Sequence, residues 1–411
     1  MDPETALEFV KHGATLLLLD VPQFTLIGID TQMFSSGPKF KGIKMIPPGV
    51  HFVYYSSSNR EGSEFSPIVG FFIDASPSQV IVRKWEKKEE LFVKLLEEEE
   101  ERYYEAVKRL EFDAQLGPYS LSQYVEWKHL SNYINKATID RIEPIGGEIT
   151  VVSESKMVGN FPKTTMEKAL AEQLRTSKFS THEENSQRRG CYYTKIPRLV
   201  KHNGVSGGEL TNMNLDKTQL LEGILMKEYG GVEDSLLAEM QFAFIAFLMG
   251  QSLEAFLQWK LLLSLLFGCT EAPLHTRSRL FTKSIRVIYY QLKYGFQKDQ
   301  RDIGTTNKGV SALLDESWLS SDSFLHHLFK DFFSLVMEAP VIDGDLLTWT
   351  RKLKLLLENS FGWQFHQNST VHGVYVEEDD EYAPVVEILD DSQLQKCHFG
   401  DDQQRASHPS M

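Results

Sequence analysis

The chain is poor in cysteine, in long apolar runs and in positive charge, and each shortage argues against a class of function. Its three cysteines, Cys191, Cys269 and Cys397, stand far apart and form no CxxC pair. That argues against a cysteine zinc site or a disulfide framework and fits a reducing intracellular compartment. No apolar run approaches the roughly 20 residues needed to span a bilayer. Even FAFIAFLMG, Phe242 to Gly250, is short and flanked by Gln241 and Gln251. The opening MDPETALEFVKHG is acidic and lacks the basic-then-apolar order of a secretory leader, so a soluble protein is expected. A net charge of −14 argues against a large phosphate-gripping face and against a membrane surface, leaving only a local basic patch open. Direct nucleic-acid binding is therefore not expected.

What is present is ordinary globular material, 42% hydrophobic and 24% charged over 411 residues, and that length suits two domains. Its most informative stretch runs from Gly28 to Ser56. There Gly37-Pro38, Gly42 and Pro47-Pro48-Gly49 punctuate the strand-like segments KFKGIKMI and VHFVYYS. Pro48 and Gly49 suit the centre of a type II turn, so two strands meeting at a stiff corner are expected. Around them, Glu4 to Gly13 reads as a short helix, and ATLLLLDV as a strand buried on both faces. FTLIGID, PIVGFFIDA and QVIVRKW read as further strands, the last two around the turn SPS. Six β segments in about 85 residues predict a sandwich or barrel-like sheet. Leu91, Leu95, Tyr103, Val107 and Leu110 then recur at helical spacing through a charged segment, with Glu97 to Glu101 as its solvated face or an acidic docking face. Next, Gly117 is read as a helix stop and Pro118 as the first turn of a helix that buries Leu121, Tyr124, Val125, Trp127, Leu130 and Ile134.

Three residues invite a catalytic reading and fail it. Asp30-Thr31 echoes the Asp-Thr-Gly of aspartic proteases, but Gln32 stands where glycine is needed and no second copy follows. A lone mid-strand His51 is better explained by packing and hydrogen bonding than by catalysis, and Lys44 as an ordinary solvated lysine. No catalytic, cofactor or metal residues are assigned, and the chain is expected not to be an enzyme.

A β-rich domain is expected over 1–155 and a polar linker over 156–206. Within that linker CYYTKIPRLV, 191–200, is read as a strand that could return to the first sheet, as is GEITVVSES just before it. An all-helical domain is expected over 207–364. Its first helix carries Leu220, Leu221, Ile224 and Leu225 and closes at Gly230-Gly231. SLLAEMQFAFIAFLMGQSLEAFLQWKLLLSLLFG supplies two central helices meeting at Gly250, and three amphipathic helices follow, the second capped by Asp322. His326 and His327 point to different faces, which is wrong for a shared metal. In the tail, 365–411, residues Val374 to Met411 hold ten acidic against two basic residues, so that segment carries −8 of the −14. Within it the β-prone island Tyr382, Ala383, Pro384, Val385, Val386, Glu387, Ile388 and Leu389 reads as a strand that adds to a partner's sheet edge or pairs within the chain.

Four of these blocks carry a resemblance that covers most of the chain. TLLLLDVPQFTLIGID with GPKFKGIKMIPPGVHFVYYS, LGPYSLSQYVEWKHLSNYI, MQFAFIAFLMG with EAFLQWKLLLSLL, and APVVEIL closely resemble the Aar-two family of A-one cistron splicing factors. The family signature falls on Gly37, Pro38, Gly42, Lys44, Pro47, Pro48, Gly49 and His51, on Gly117 and Pro118, and on Phe242 and Trp259. The resemblance implies a non-catalytic assembly factor of the U-five small nuclear ribonucleoprotein, without cofactor, that holds Prp-eight as a monomer. It implies a VHS-like helical domain, and a tail that adds a strand between an RNase-H-like and a Jab-one/MPN-type domain of Prp-eight. The alternative from the residues alone is a helical adaptor in trafficking or signalling.

Overall fold

A computed structural model describes residues 3–59, 61–62, 64–151, 190–197, 215–301 and 324–365. The opening helix α1 (Pro3–His12) stops at Gly13, where an added Cβ would sit 2.4 Å from the Phe9 carbonyl oxygen. Strand β1 (Ala14–Leu19) follows at once and explains its own sequence. Leu16 and Leu18 point into the core between two sheets, while Leu17 and Leu19 point to the opposite face. A strand covered on both faces reads as a continuous apolar run rather than an alternating one.

Among the described residues ten strands make two five-stranded sheets. They comprise β1, β2 (Leu26–Ile29), β3 (Gln32–Ser35), β4 (Gly42–Ile46), β5 (Gly49–Ser56), β6 (Val69–Ala75), β7 (Val80–Glu86), β8 (Leu91–Val93), β9 (Leu116–Pro118) and β10 (Ile149–Thr150). The first sheet has the order β8-β7-β1-β4-β9 and the second β10-β6-β5-β2-β3. The Pro47-Pro48-Gly49 corner is thus a crossing between sheets and not the closure of a hairpin, since β4 and β5 lie in different sheets. Gly49 has φ +127°, outside the usual range of a type II turn. The SPS turn likewise passes the chain from β6 in the second sheet to β7 in the first. There β7 pairs parallel with β1, and β9 pairs parallel with β4.

Two expectations around this sandwich are corrected. Leu91 opens β8, antiparallel to β7, and helix α2 begins only at Glu97 (Glu97–Lys108). The acidic run fills the first turn of α2, where carboxylates complement the positive helix end. Tyr103 and Val107 of α2, with Leu95, cover Leu17, Leu19, Val82 and Leu116 on the outer face of the first sheet. Gly117 and Pro118 lie in edge strand β9 and cap no helix; at an edge the missing proline N–H costs no ladder bond. The helix α3 starts later (Tyr124–Ser131) and is followed by α4 (Lys136–Ile142). Trp127, Leu130 and Ile134 are buried, but Val125 is exposed because it sits one position round from Tyr124 on the helix.

Six described helices follow: α5 (Thr218–Glu228), α6 (Glu233–Leu248), α7 (Leu253–Phe267), α8 (Ser278–Arg301), α9 (Phe324–Glu338) and α10 (Gly344–Phe361). The double-glycine stop of α5 has both residues at positive φ, and Gly231 N–H donates to Leu225 O at 2.8 Å. Ser252 caps α7 and Asp343 caps α10, while Gly362 ends α10 in the left-handed region. Apolar but for Glu239 and Gln241, α6 is buried from Leu236 to Leu248. It contacts α3 and α4 from the β-rich half as well as α7 and α8. The described residues up to Gln364 accordingly belong to one compact unit. The tail strand at 382–389, the Asp322 cap and most of the linker lie outside the described residues.

Candidate functional site

The chemistry-bearing side chains gather at two buried centres, one under the corner of the sandwich and one where the two halves meet. The first is set by Asp30. It occupies the two-residue turn between β2 and β3 at φ +54°, a conformation that aspartate tolerates in tight hairpins. Its Oδ2 accepts from His51 Nδ1 at 2.6 Å and from the Tyr119 hydroxyl at 2.7 Å. Its Oδ1 accepts from the Phe52 N–H at 2.9 Å. His51 Nε2 lies 2.6 Å from the Pro47 carbonyl, which can only accept. Nε2 therefore donates, and against an ionised Asp30 Nδ1 donates as well, an arrangement that favours the imidazolium. Burial alone would lower the His51 pKa, but the Asp30 carboxylate and these hydrogen bonds raise it above the ordinary value. Burial and Asp30 together push the Tyr119 hydroxyl far up, so it stays a donor. Beside it, Trp127 Nε1 donates to Val50 O at 2.8 Å.

An Asp–His pair can be half of a catalytic relay, but this one has no free base. The His51 side chain is 1% exposed, and the nitrogen that would take a proton is already bound to Pro47. What the arrangement does is tie the hairpin turn, the corner and the β9–α3 connection into one knot. The rest of the corner signature is positional. Gly42 has φ +140° and approaches the Leu16 carbonyl where no Cβ fits, and Gly37-Pro38 sit in an exposed turn. Lys44 is half-buried and ion-paired with Asp113 rather than freely solvated.

The second centre is Glu239 on α6, fully buried. Its carboxylate accepts from Arg141 Nη2, Thr194 N, Thr194 Oγ1 and Gln258 Nε2, each at 2.8 Å, and from the Tyr229 hydroxyl at 3.1 Å. Those donors come from α4, from segment 190–197, from α7 and from the end of α5. Residues 191–197 form no strand, which corrects the sequence expectation; Tyr192 N donates to Ile142 O of α4, and side chains of the helical half hold the Cys191 and Thr194 backbone. Gln258 Nε2 donates to Thr194 O at 2.9 Å, and Glu254 accepts from Cys191 N at 3.1 Å. Two residues on from Glu239, Gln241 accepts from Tyr133 N at 2.8 Å and donates to Asn132 Oδ1 at 2.8 Å. Phe242 stacks on Phe72 of the second sheet at 4.4 Å between centroids. Trp259 is a core residue that donates to Gln291 Oε1 at 3.0 Å.

Phe242, Trp259 and His51, singled out in the sequence, are buried, whereas sequence reasoning missed Glu239, Gln241 and Tyr119 as organising groups. The missed signal was a lone carboxylate in the apolar run Ser235 to Met249, which burial tolerates only with partners. Among the described residues no group of three or more histidine, cysteine, aspartate or glutamate side chains could hold a metal ion.

Fold and centres define a scaffold: a two-sheet β half fixed to a helical half by polar groups turned inward. Two family models match it, the AAR2 N-terminal domain over residues 12–144 and the AAR2 C-terminal repeat region over 193–366. A protein AAR2 homolog of Homo sapiens is 30% identical over 402 residues, covering 94% of this chain and 96% of that protein. The Caenorhabditis elegans homolog is 32% identical over 381 residues, 89% and 98% of the two chains. The A1 cistron-splicing factor AAR2 of Saccharomyces cerevisiae is 24% identical over 288 residues, 68% and 76% of the two chains. The chain belongs to the AAR2 family.

Proposed function

We propose that this chain is a non-catalytic splicing factor that binds Prp-eight and accompanies the U-five small nuclear ribonucleoprotein, and through it the tri-snRNP, during assembly. Family membership supports the class of role, since the yeast relative is named a splicing factor. The observation that carries the non-catalytic part is the closure of both polar centres. Every donor and acceptor of His51 and of the Glu239 carboxylate is spent inside the protein, which leaves shape as the means of action. A β half and a helical half fixed to each other present a composite surface of constant geometry, suited to holding a large partner. The partner and its two domains, RNase-H-like and Jab-one/MPN-type, rest on the family resemblance, as do the VHS-like reading of the helical half and the strand added by 382–389. In this proposal the protein acts as a monomer in cytoplasm and nucleus, with neither metal nor cofactor.

The test is binding to the C-terminal region of Prp-eight by the full chain and by a chain ending at Gln364, the limit of the compact unit. Strong weakening on truncation supports a clamping tail. Equal binding keeps the partner and moves the affinity to the folded unit. No binding by either form overturns the named partner and favours a helical adaptor.

A further inference from the structure

The whole-chain charge hides a local exception on α8 and α10. Residues 278 to 298 contain no aspartate or glutamate, although the chain carries 57 acidic residues. At the α8 N-terminus two cations are ion-paired, Arg277 with Glu222 and Glu233, and Lys283 with Asp234. Further along the pairing stops. Arg286 and Lys293 of α8 and Lys352 of α10 have no ion-pair partner among the described residues and stand over aromatic rings instead. Arg286 lies 5.5 Å and Lys352 4.4 Å from the Trp349 ring centre, and Lys293 lies 5.9 Å from that of Tyr289.

The rings form a row. His129 of α3 stacks on Tyr290 at 3.8 Å with 4° between planes. Tyr290 meets Tyr289 at 5.3 Å, and both meet Trp349, at 6.2 and 5.8 Å. All four rings are half-buried, while Arg286 and Lys352 are exposed. The positive field is felt inside the row: burial and then the charges of Arg286 and Lys293 lower the His129 pKa. Unpaired cations interleaved with half-exposed rings are what single-stranded nucleic acid uses, the cations for phosphates and the rings for bases, with little sequence preference. An acidic peptide would satisfy the cations but leaves the row of rings without a role.

We propose that the face formed by Arg286, Lys293, Lys352, Tyr289, Tyr290 and Trp349 binds single-stranded RNA. This is a narrow contact on an acidic protein, so its affinity is modest and salt-dependent. It is independent of the partner proposed above.

The experiment is fluorescence anisotropy of a labelled oligouridylate of about 12 nucleotides, long enough for one such groove, titrated with the full chain at several salt concentrations. The triple variant Arg286→Glu, Lys293→Glu, Lys352→Glu should weaken binding at least about tenfold and flatten the salt dependence by about two units, near 0.7 per lost phosphate contact. A control, Lys87→Glu with Lys88→Glu on the exposed β7–β8 turn, should bind as the unmodified chain. Circular dichroism melts of each variant confirm that the fold is kept. The double variant Tyr289→Leu, Trp349→Leu should weaken RNA binding while a polyglutamate peptide is unaffected. Absence of binding by the unmodified chain, equal loss in the control, or polyglutamate competing as well as RNA on an equal-charge basis would each overturn the proposal, the last in favour of an acidic protein partner.

Discussion

At the scale of single residues, His51 decides how the corner responds to pH. Its folded pKa is raised above the ordinary 6.5, so the folded state binds the proton more tightly than the unfolded chain does. The stabilisation is therefore fully present below about pH 6.5 and is lost as the pH rises through the raised folded value. His51→Gln should cost about 3–5 kcal/mol at pH 6, because it leaves the buried Asp30 carboxylate without its counter-charge, with only the Tyr119 and Phe52 donors. Paired melts of the native chain and His51→Gln between pH 6 and 9 should show the gap narrowing as pH rises. A gap of constant width would show that the imidazole is not held as a cation. Glu239 is the corresponding residue of the joint. Glu239→Ala leaves Arg141 and four neutral donors without their acceptor, at a cost of about 3–5 kcal/mol. Amide exchange in Cys191–Pro197 should quicken with it, since the Thr194 N–H loses its acceptor; unchanged exchange there would mean that other contacts hold the segment.

At the scale of elements, the second sheet trades side chains for close approach. A Cβ on Gly28 would fall 2.0 Å from the Tyr54 ring, and one on Gly70 would fall 2.3 Å from the Phe52 ring. The rings lie flat across the glycine backbone of neighbouring strands, and Phe52 in turn meets Phe72, the ring that faces α6. Gly70→Ala should thus cost about 1–3 kcal/mol by overpacking and displace a surface that the helices use. A melt within about 0.5 kcal/mol of the native chain, the usual range for sites of no consequence, would count against that reading. The elements also show where the sequence was readable. Strands β1, β5, β6 and β7 and helices α5 to α10 carry long apolar patterns, and such patterns fix an element's existence and type. Strands β3, β8, β9 and β10 have two to four residues each and lie in edge or next-to-turn positions, where ladder pairing rather than pattern makes the strand. Gly117-Pro118 misled for a physical reason: the residue types that punctuate helices also suit edge strands. Local signals at Pro47-Pro48-Gly49 announced a corner but could not say that it joins two sheets, because sheet membership depends on partners distant in sequence.

At the scale of the molecule, the joint between the halves was the least legible feature and the most consequential one. Composition divides the chain into a β-rich part, a polar middle and a helical part, and such a division suggests independent domains. The contacts of α6 join them. Glu239, Gln241 and Phe242 lie within one turn of that helix and engage α4, the α3–α4 connection and β6 respectively. Glu239 also accepts from Thr194 N, so described residues before and after 152–189 meet at the same helix turn. Calorimetry of the full chain should therefore show the β half and the helical half melting in a single transition. Phe242→Ala removes the stacked ring at a cost of about 3–5 kcal/mol, and Glu239→Ala removes the polar clamp beside it. Being adjacent on one helix turn, the two should couple rather than add. The double variant should split the melt in two, with each half retaining its own core. One cooperative transition in the double variant would mean that the halves are held by the remaining ring contacts, such as His129 on Tyr290, and not by this turn of α6.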